Sequence, residues 1–358
     1  MFHSKIVSAG IKPKAWDAPA FWRIPARCLL VFVLALSAWS FTLYFGPQPP
    51  LAPPREELTD GALYKAIAAR VAKGESYYVA APAEQRARGF PLSPAVTVRP
   101  PLLAEITAIV GGPIVMGWLL RLTALATFLA FTMRFAAILP NPPTRIAATV
   151  IAAMSIAVLT PIELAIYHDV WAGMLVALAL GLRRPGHWVA SIAVALVGVL
   201  IRELAAPLMI VMIFSALVER RWREAMAWVV AFAFAMALLM LHWHRIAAIP
   251  NTEHLVSSGW FRAMGWPWVV HVYSMTGLLV LFPAAIGAAL VPLALLGWTT
   301  VERSLALRAG LWMIGMACTF MLFGRVENYY WGALVAPILP IGLAFAPGGI
   351  ARLIRIAR

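Results

Sequence analysis

The stretch RRPGHWVASIAVALVGVLIRELAAPLMIVMIFSALVERRWR, residues 183–223, decides how this chain crosses a membrane. Two apolar runs, 187–201 and 204–219, are separated by the charged pair Arg202-Glu203. Basic pairs or clusters bound the stretch on both sides, and short basic loops stay on the cytoplasmic face of a membrane. An even number of crossings must therefore lie between them. We predict a hairpin broken at Arg202-Glu203 rather than one long helix.

The same pattern extends over the whole chain. Of its 358 residues, 62% are hydrophobic and only 12% are charged, which is typical of a polytopic membrane protein. Because one crossing needs about 20 apolar residues, the chain has room for roughly ten helices. The candidate spans are 26–45, 113–139, 145–162, 168–183, 187–201, 204–219, 222–243, 268–297, 309–323 and 331–347. We predict an all-α fold of about ten transmembrane helices that forms a single membrane-embedded domain, 1–358.

Charge patterning predicts the orientation of this domain. Arginines and lysines concentrate in short loops and at the ends, whereas acids and histidines concentrate in the alternate loops. This places the N-terminus (1–25) and the basic tail (348–358) in the cytoplasm, and the large first loop (46–112) outside it. The net charge of +14 is thus explained without nucleic acid as a partner. We predict a multi-pass protein of a bacterial-type cytoplasmic (inner) membrane.

The large first loop is predicted to carry juxtamembrane helices. Residues 59–73 read as an amphipathic helix that lies along the membrane surface, with Thr59 or Asp60 as its cap and Gly74 at its end. Residues 102–110 read as a second short helix. Asp60 has two interpretations: it caps the helix, or it is a carboxylate that serves as a general base or a metal ligand.

Four further loops, predicted on the same extracytoplasmic side as the first loop, hold polar groups. His168 and Asp169 begin an inward helix, where an acid is favoured by the helix dipole but an Asp/His pair also suits a cation or a catalytic base. Arg202-Glu203 is either an ion pair that stabilises a turn or part of a site. The remaining candidates for phosphate, sugar or lipid contact are Trp260, Arg325, Glu327 and Tyr329.

A resemblance narrows these alternatives. The string TDGALYKAIAARVAKGESYY, 59–78, resembles the opening loop of the GT-C superfamily, with an acid after the first helix, then Tyr and Ala, and Gly before a Tyr pair. Arg99-Pro-Pro-Leu-Leu103 resembles the segment that leads to the second helix of that superfamily. The stretch 168–175 resembles the boundary where a second acid often sits. The resemblance covers the overall plan of the chain, and its second half carries no matching signature.

The GT-C resemblance implies a glycosyltransferase that takes a sugar from a polyprenyl-phosphate donor. Asp60 is then the catalytic base, and His168 with Asp169 binds a metal ion or orients the acceptor. A divalent metal ion at Asp60 and Asp169 is an accompanying expectation, although Gly61 stands where a second acid would complete a pair. The implied partners are a polyprenyl-phosphate-linked sugar, membrane lipid, and a glycan, lipid or protein acceptor.

The chemistry of such a transfer indicates which role each of the candidate residues would have. An inverting transfer needs a base beside the acceptor hydroxyl and cations beside the departing phosphate. We expect Arg202 and Arg325 to bind the phosphate, with Arg99 in reserve. Two other classes stay open: a transporter or flippase of a lipid-linked glycan, and a non-catalytic membrane protein of the same fold.

Overall fold

A computed structural model describes residues 23–45, 59–250, 252 and 255–358. Most of the predicted cytoplasmic N-terminus (1–22) and the proline-rich start of the first loop (46–58) lie outside the described residues. The described part contains only helices, turns and three isolated bridges. Its α-helices are α1 (Arg23–Thr42), α2 (Asp60–Ala72), α3 (Tyr77–Ala87), α4 (Leu102–Ile109), α5 (Pro113–Ile138), α6 (Pro142–Ala157), α7 (His168–Leu182), α8 (Val189–Ile201), α9 (Ala206–Val218), α10 (Trp222–Ala247), α11 (Gly265–Ser274), α12 (Ala284–Trp298), α13 (Arg303–Leu322) and α14 (Ala346–Ala357).

Four of these helices are long and apolar enough to cross a membrane: α1, α5, α10 and α13. α7, α8, α9 and α12 are apolar but shorter. A helix of 15 residues such as α7 is only about 22 Å long at 1.5 Å per residue, less than the ~30 Å of a bilayer core. The described part of the chain is therefore all-helical with several membrane-type helices, and the predicted count of about ten spans is not confirmed.

The predicted break in the 183–223 stretch is confirmed. α8 ends at Ile201, a single 3-10 turn covers Glu203–Ala205, and α9 begins at Ala206 with Pro207 in its first turn. Proline fits there because the first helical turn has no hydrogen-bonding partner for its backbone N–H groups. The turn leaves Arg202 and Glu203 at the junction of the two helices.

Two other predicted spans do not form the single continuous helices that were predicted. The span 268–297 is divided into α11, a 3-10 segment at Gly277–Leu281, and α12. The span 331–347 is not an α-helix, because Val326–Leu334 and Leu339–Ala344 are 3-10 segments. This region is nevertheless buried, and Leu334, Val335 and Ile338 are fully inaccessible to solvent. The apolar sequence reflects burial inside the protein rather than a helix facing lipid.

The helices of the first loop form as predicted. α2 begins at Asp60 and ends before Gly74, which has a φ of +87°, and α4 spans Leu102–Ile109. The apolar face of α2 is covered by α3 and α4. It therefore packs against protein, and the position of the helix along the membrane surface stays a prediction.

Six charged side chains cluster where α5, α7, α9, α10 and α13 approach one another, a region that we call the inner end. The Arg183 guanidinium binds Glu224 through two contacts of 2.8 Å and Glu219 at 3.0 Å. Arg308 binds Glu219 at 2.6 Å, and Arg134 binds Glu302 at 2.9 Å. Arg183 directly follows α7, whereas His168 begins it. The inner end is thus one full helix length from the polar groups described next.

Candidate functional site

A cavity of about 990 Å³ lies at the other end of α7, between the first-loop helices and the 3-10 segment Val326–Leu334. Polar side chains from both regions, from the start of α7 and from the loops at 257 and 325 line one part of it. These are Asp60, Tyr64, Arg99, His168, Asp169, Ser257, Arg325, Glu327, Asn328, Tyr329 and Tyr330. The predicted residues Asp60, Asp169 and Arg325 therefore border one shared space, although they are far apart in sequence.

Another part of the lining is apolar, and most of its side chains belong to one hydrophobic cluster. Leu103 on α4, Pro113 at the start of α5, and Val158 and Leu159 after α6 form its wall. Leu164 from the 3-10 segment Ile162–Ile166 completes it. A single space with one polar and one apolar wall suits an amphiphilic molecule.

Thr59, and not Asp60, caps α2. The Thr59 hydroxyl accepts a hydrogen bond of 3.3 Å from the backbone N–H of Ala62. Among the described residues, none forms a hydrogen bond or an ion pair with the Asp60 carboxylate. That carboxylate is partly exposed and faces the cavity. The cap is thus separate from the candidate base.

The glycine after Asp60 has a steric role. Gly61 is buried, and a Cβ atom built on it would lie 2.8 Å from the Tyr167 hydroxyl oxygen and 3.2 Å from Ile166. A side chain at position 61 would require the Tyr167 and Ile166 side chains to move. α2 thus lies close to the segment that precedes α7, and Asp60 lines the same cavity as His168 and Asp169.

Behind the cavity wall, two acids and two arginines form a buried chain. Arg202 donates to Asp169 at 2.9 Å and also to Glu203, and the Arg202 side chain is 1% exposed. Arg99 continues the chain, with its Nη1 atom 3.9 Å from a Glu203 oxygen. Charges buried this deeply are stable only when they are paired. Arg202 and Glu203 are absent from the cavity lining, and they hold Asp169 and Arg99 from behind.

Arg99 also connects two tyrosines that sequence reasoning did not single out as site residues. Its Nε atom donates to the Tyr64 hydroxyl at 3.2 Å, and its Nη2 atom donates to the Tyr330 hydroxyl at 3.4 Å. The Tyr77 hydroxyl donates to the Arg99 carbonyl at 2.6 Å and fixes the backbone there. α2 and the 326–334 segment thereby meet at one guanidinium, and α3 binds the backbone of the same residue.

Burial changes the acidity of these phenols. It raises the pKa of Tyr330 to about 12, although Arg99 acts in the opposite direction. It also raises the pKa of Tyr64 well above the ordinary value near 10. Both phenols therefore stay protonated at physiological pH, and each remains able to donate a hydrogen bond.

Arg325 occupies a different corner of the cavity. It donates to the Ser258 hydroxyl at 2.9 Å and to the Ser257 hydroxyl at 3.3 Å, and its guanidinium lies 5.3 Å from the ring centre of Trp260. Its ion pair with Glu327 is long, at 3.4 Å, and the Glu327 side chain is 66% exposed. The corner thus presents a weakly neutralised cation with several hydrogen-bond donors.

The structure brings together eight of the ten predicted site residues along the cavity. They are Asp60, Arg99, His168, Asp169, Trp260, Arg325, Glu327 and Tyr329, while Arg202 and Glu203 lie behind it. Tyr64, Asn328 and Tyr330 were missed. The signal for Tyr64 was its place on the same helical face as Asp60, and that for the other two was the polar and aromatic cluster around Arg325.

The donor set fits a divalent metal ion poorly. Within the described ranges, no group of three His, Cys, Asp or Glu side chains is arranged to hold one. Asp169 is engaged by the Arg202 guanidinium, which leaves Asp60 as the single free carboxylate of the predicted pair. Two guanidiniums in the same region would also repel a cation. We therefore derive no chemical step through a metal ion.

Comparisons with protein-family models, with curated proteins and with solved structures returned no match.

Proposed function

We propose that this protein is a membrane glycosyltransferase that moves a sugar from a polyprenyl-phosphate donor to an acceptor, with inversion at the anomeric carbon. One observation supports it best: a single cavity joins an apolar wall to a polar wall that carries Asp60 and the cation Arg325. The apolar wall suits the lipid part of such a donor. The polar wall suits its sugar and phosphate. The GT-C resemblance of the first loop supports the same assignment.

The proposed reaction uses Asp60 as general base. Its carboxylate accepts the proton of the acceptor hydroxyl while the hydroxyl oxygen forms a bond to the anomeric carbon. The bond from that carbon to the phosphate oxygen breaks, and the electron pair leaves with the polyprenyl phosphate. Asp60 is available for this step because Thr59 supplies the helix cap.

Arg325 stabilises the negative charge on the departing phosphate in this proposal. The supporting geometry is its weak neutralisation by Glu327 and its position beside the Ser257 and Ser258 hydroxyls. Trp260 and Tyr329 offer aromatic faces for a sugar or a lipid. Arg202 acts from behind by holding Asp169, and its direct contact with phosphate stays a prediction.

The proposed orientation follows the charge pattern of the loops. The cavity then opens on the extracytoplasmic side of a bacterial-type inner membrane, and both termini lie in the cytoplasm. Arg184, Arg220, Arg221 and Arg223, which adjoin the inner end in sequence, support this orientation, since basic groups favour the cytoplasmic side.

The test is sugar transfer by purified protein in proteoliposomes. The donors are synthetic polyprenyl-phosphoryl mannose, glucose and arabinose with radiolabelled sugars, and the acceptors are an envelope extract from a strain that lacks the protein. We expect Asp60→Asn to lower transfer at least 100-fold while its melting temperature stays unchanged, because general-base catalysis contributes about 10²–10⁴-fold. The matched control is Glu163→Gln, which alters an exposed acid close to α7 but outside the cavity lining.

The outcomes separate the competing classes. Full transfer by Asp60→Asn overturns Asp60 as the base. If every donor fails in the transfer assay but the lipid-linked sugar crosses the bilayer, the protein is a flippase. If neither occurs, the proposal of an enzyme fails.

A further inference from the structure

The polar wall of the cavity contains buried hydrogen-bonding atoms that the fold does not use. Within the part of the chain that the structure describes, His168 Nδ1 and Asn328 Oδ1 are buried and have no hydrogen-bond partner. His168 is 4% exposed and Asn328 is 5% exposed, and both line the cavity. A buried polar atom without a partner costs about 1–3 kcal/mol. Such atoms at a cavity wall therefore point to a ligand.

The two phenols that Arg99 holds supply the complementary donors. A guanidinium can only donate hydrogen bonds, so the Tyr64 and Tyr330 oxygens both act as acceptors toward Arg99. Asn328 Nδ2 also donates to the Tyr330 oxygen, at 3.4 Å. The hydroxyl protons of both tyrosines are thereby left for another acceptor. The Tyr64 ring is fixed in turn by His168, with ring centres 4.5 Å apart.

We propose that Tyr64, His168, Asn328 and Tyr330 form a subsite for the hydroxyl groups of a neutral sugar, with Arg99 as the positioning residue of both phenols. This inference rests on the proposed function and names the sugar class of the donor. Each hydroxyl group of a sugar both donates and accepts hydrogen bonds, and this wall offers both donors and acceptors. An Asn328 oxygen acceptor is unsuited to a phosphate, which offers acceptors only.

The charges around this wall argue for a neutral sugar. Arg202 is paired with Asp169 and Glu203, and Arg99 lies 3.9 Å from Glu203. These two arginines and two acids thus balance one another, and the wall formed by Tyr64, His168, Asn328 and Tyr330 offers no unpaired charge to a charged group on the sugar. A uronate or an amino sugar would therefore bind less well than a neutral hexose or pentose.

The test compares lipids that share a tail and a phosphate but differ in the sugar. The probes are citronellyl phosphate without a sugar, its neutral mannosyl, glucosyl and arabinofuranosyl derivatives, and its glucuronyl and 4-amino-4-deoxyarabinosyl derivatives. Binding to the full-length protein in nanodiscs is measured by microscale thermophoresis. We expect at least one neutral derivative to bind 10-fold or more tightly than the sugar-free lipid, and neither charged derivative to bind as tightly as that one.

The variants assign the gain in affinity to the subsite. Asn328→Ala and Tyr330→Phe should each weaken binding of the preferred neutral derivative 5-fold or more, with binding of citronellyl phosphate unchanged within 2-fold. Asn141→Ala and Tyr78→Phe are the matched controls, since these residues lie outside the cavity lining. Arg99→Lys should reproduce the pattern of Tyr330→Phe, because it retains the charge but loses the geometry that serves both phenols. Equal weakening of the sugar-free lipid in Arg99→Lys would show that Arg99 binds phosphate, and its positioning role would be overturned.

The failures of the two proposals are distinguishable. If no probe binds, the proposed function falls, and the subsite falls with it. If citronellyl phosphate binds but no sugar adds affinity, a charged derivative binds best, or both subsite variants bind like wild type, the lipid-phosphate site stands and the sugar subsite is overturned.

Discussion

At the scale of single residues, Arg99 organises the site through its neighbours. It places two phenol oxygens in the cavity wall and is itself held by Tyr77 and Glu203. The Arg99 guanidinium lies beside the hydroxyl groups of Tyr64 and Tyr330, which stay neutral. Burial raises the pKa of each phenol by more than the positive charge of Arg99 lowers it. Tyr330 is therefore a hydrogen-bond donor throughout the physiological pH range.

Replacing Tyr330 with phenylalanine tests this acidity. Burial raises the pKa of Tyr330 to about 12, so the fold favours the neutral phenol. This contribution to stability is complete below pH 10, the ordinary tyrosine pKa, and is lost as the pH rises toward 12. In an alkaline titration at 295 nm, Tyr330→Phe should remove the absorbance change of one tyrosine, and this part should come from the phase near pH 12.

The unfolding midpoint of the wild type should also fall more steeply between pH 10 and 12 than that of Tyr330→Phe. A missing absorbance change centred near pH 10 would instead show that Tyr330 is solvated and has an ordinary pKa.

Sequence reasoning reached the charged residues of this site more readily than the neutral ones. Asp60 was predicted from its place at a helix start and from the GT-C resemblance, and Arg325 from the acid, amide and aromatic residues that surround it in sequence. Tyr330 and Asn328 carry no charge, and the Arg99 guanidinium that binds the Tyr330 hydroxyl comes from a distant part of the chain. The choice of Thr59 over Asp60 as the cap depends on one hydrogen bond, which both residue types make well.

At the scale of elements, the segment 326–344 shows where hydrophobicity misleads. Its apolar run predicted a membrane helix, yet it forms 3-10 turns surrounded by protein. Its glycines explain why, since they let backbones approach more closely than side chains allow. A Cβ atom on Gly342 would lie 2.0 Å from the carbonyl oxygen of Ala294 on α12. Periodicity cannot distinguish this environment from lipid, because both favour the same residues.

Gly342→Ala tests that close approach. The added methyl group meets backbone rather than a flexible side chain, so α12 and the 3-10 segment must separate. Overpacking of this kind costs about 1–3 kcal/mol or more. We expect the apparent melting temperature in detergent, followed by circular dichroism, to fall by roughly 5 °C.

Gly348→Ala is the matched control, because a Cβ atom there meets nothing within 4 Å and alanine favours the helix α14. It should leave the melting temperature unchanged or raise it slightly. Equal melting temperatures for Gly342→Ala and Gly348→Ala would contradict the tight packing of α12 on this segment.

At the scale of the whole molecule, charge is divided between the two ends of α7. The predicted hairpins placed Arg134, Arg183 and Arg308 on one side and Asp60, Asp169 and Arg325 on the other. The structure groups the first three in one cluster of ion pairs and hydrogen bonds and the second three around one cavity. Loop charges could predict this division because basic residues concentrate in the cytoplasmic loops of membrane proteins. They could not predict the packing of α2 or the partners of each arginine, which depend on tertiary contacts.

The inner end should stabilise the bundle without taking part in chemistry at the cavity. Glu224 receives two hydrogen bonds from Arg183, and both side chains are at most 2% exposed. Glu224→Gln leaves a buried guanidinium with a weaker partner, and breaking a buried pair in this way costs about 3–5 kcal/mol. We expect a melting temperature lower by roughly 10 °C and unchanged affinity for citronellyl phosphate at a temperature where the variant is folded.

Glu75→Gln, which removes the acid of a partly exposed pair with Arg70 on α2, is the control and should melt like wild type. A Glu224→Gln protein that melts like wild type would mean that the network is solvated, whereas a folded variant with weakened lipid binding would mean that the two ends are coupled through α7.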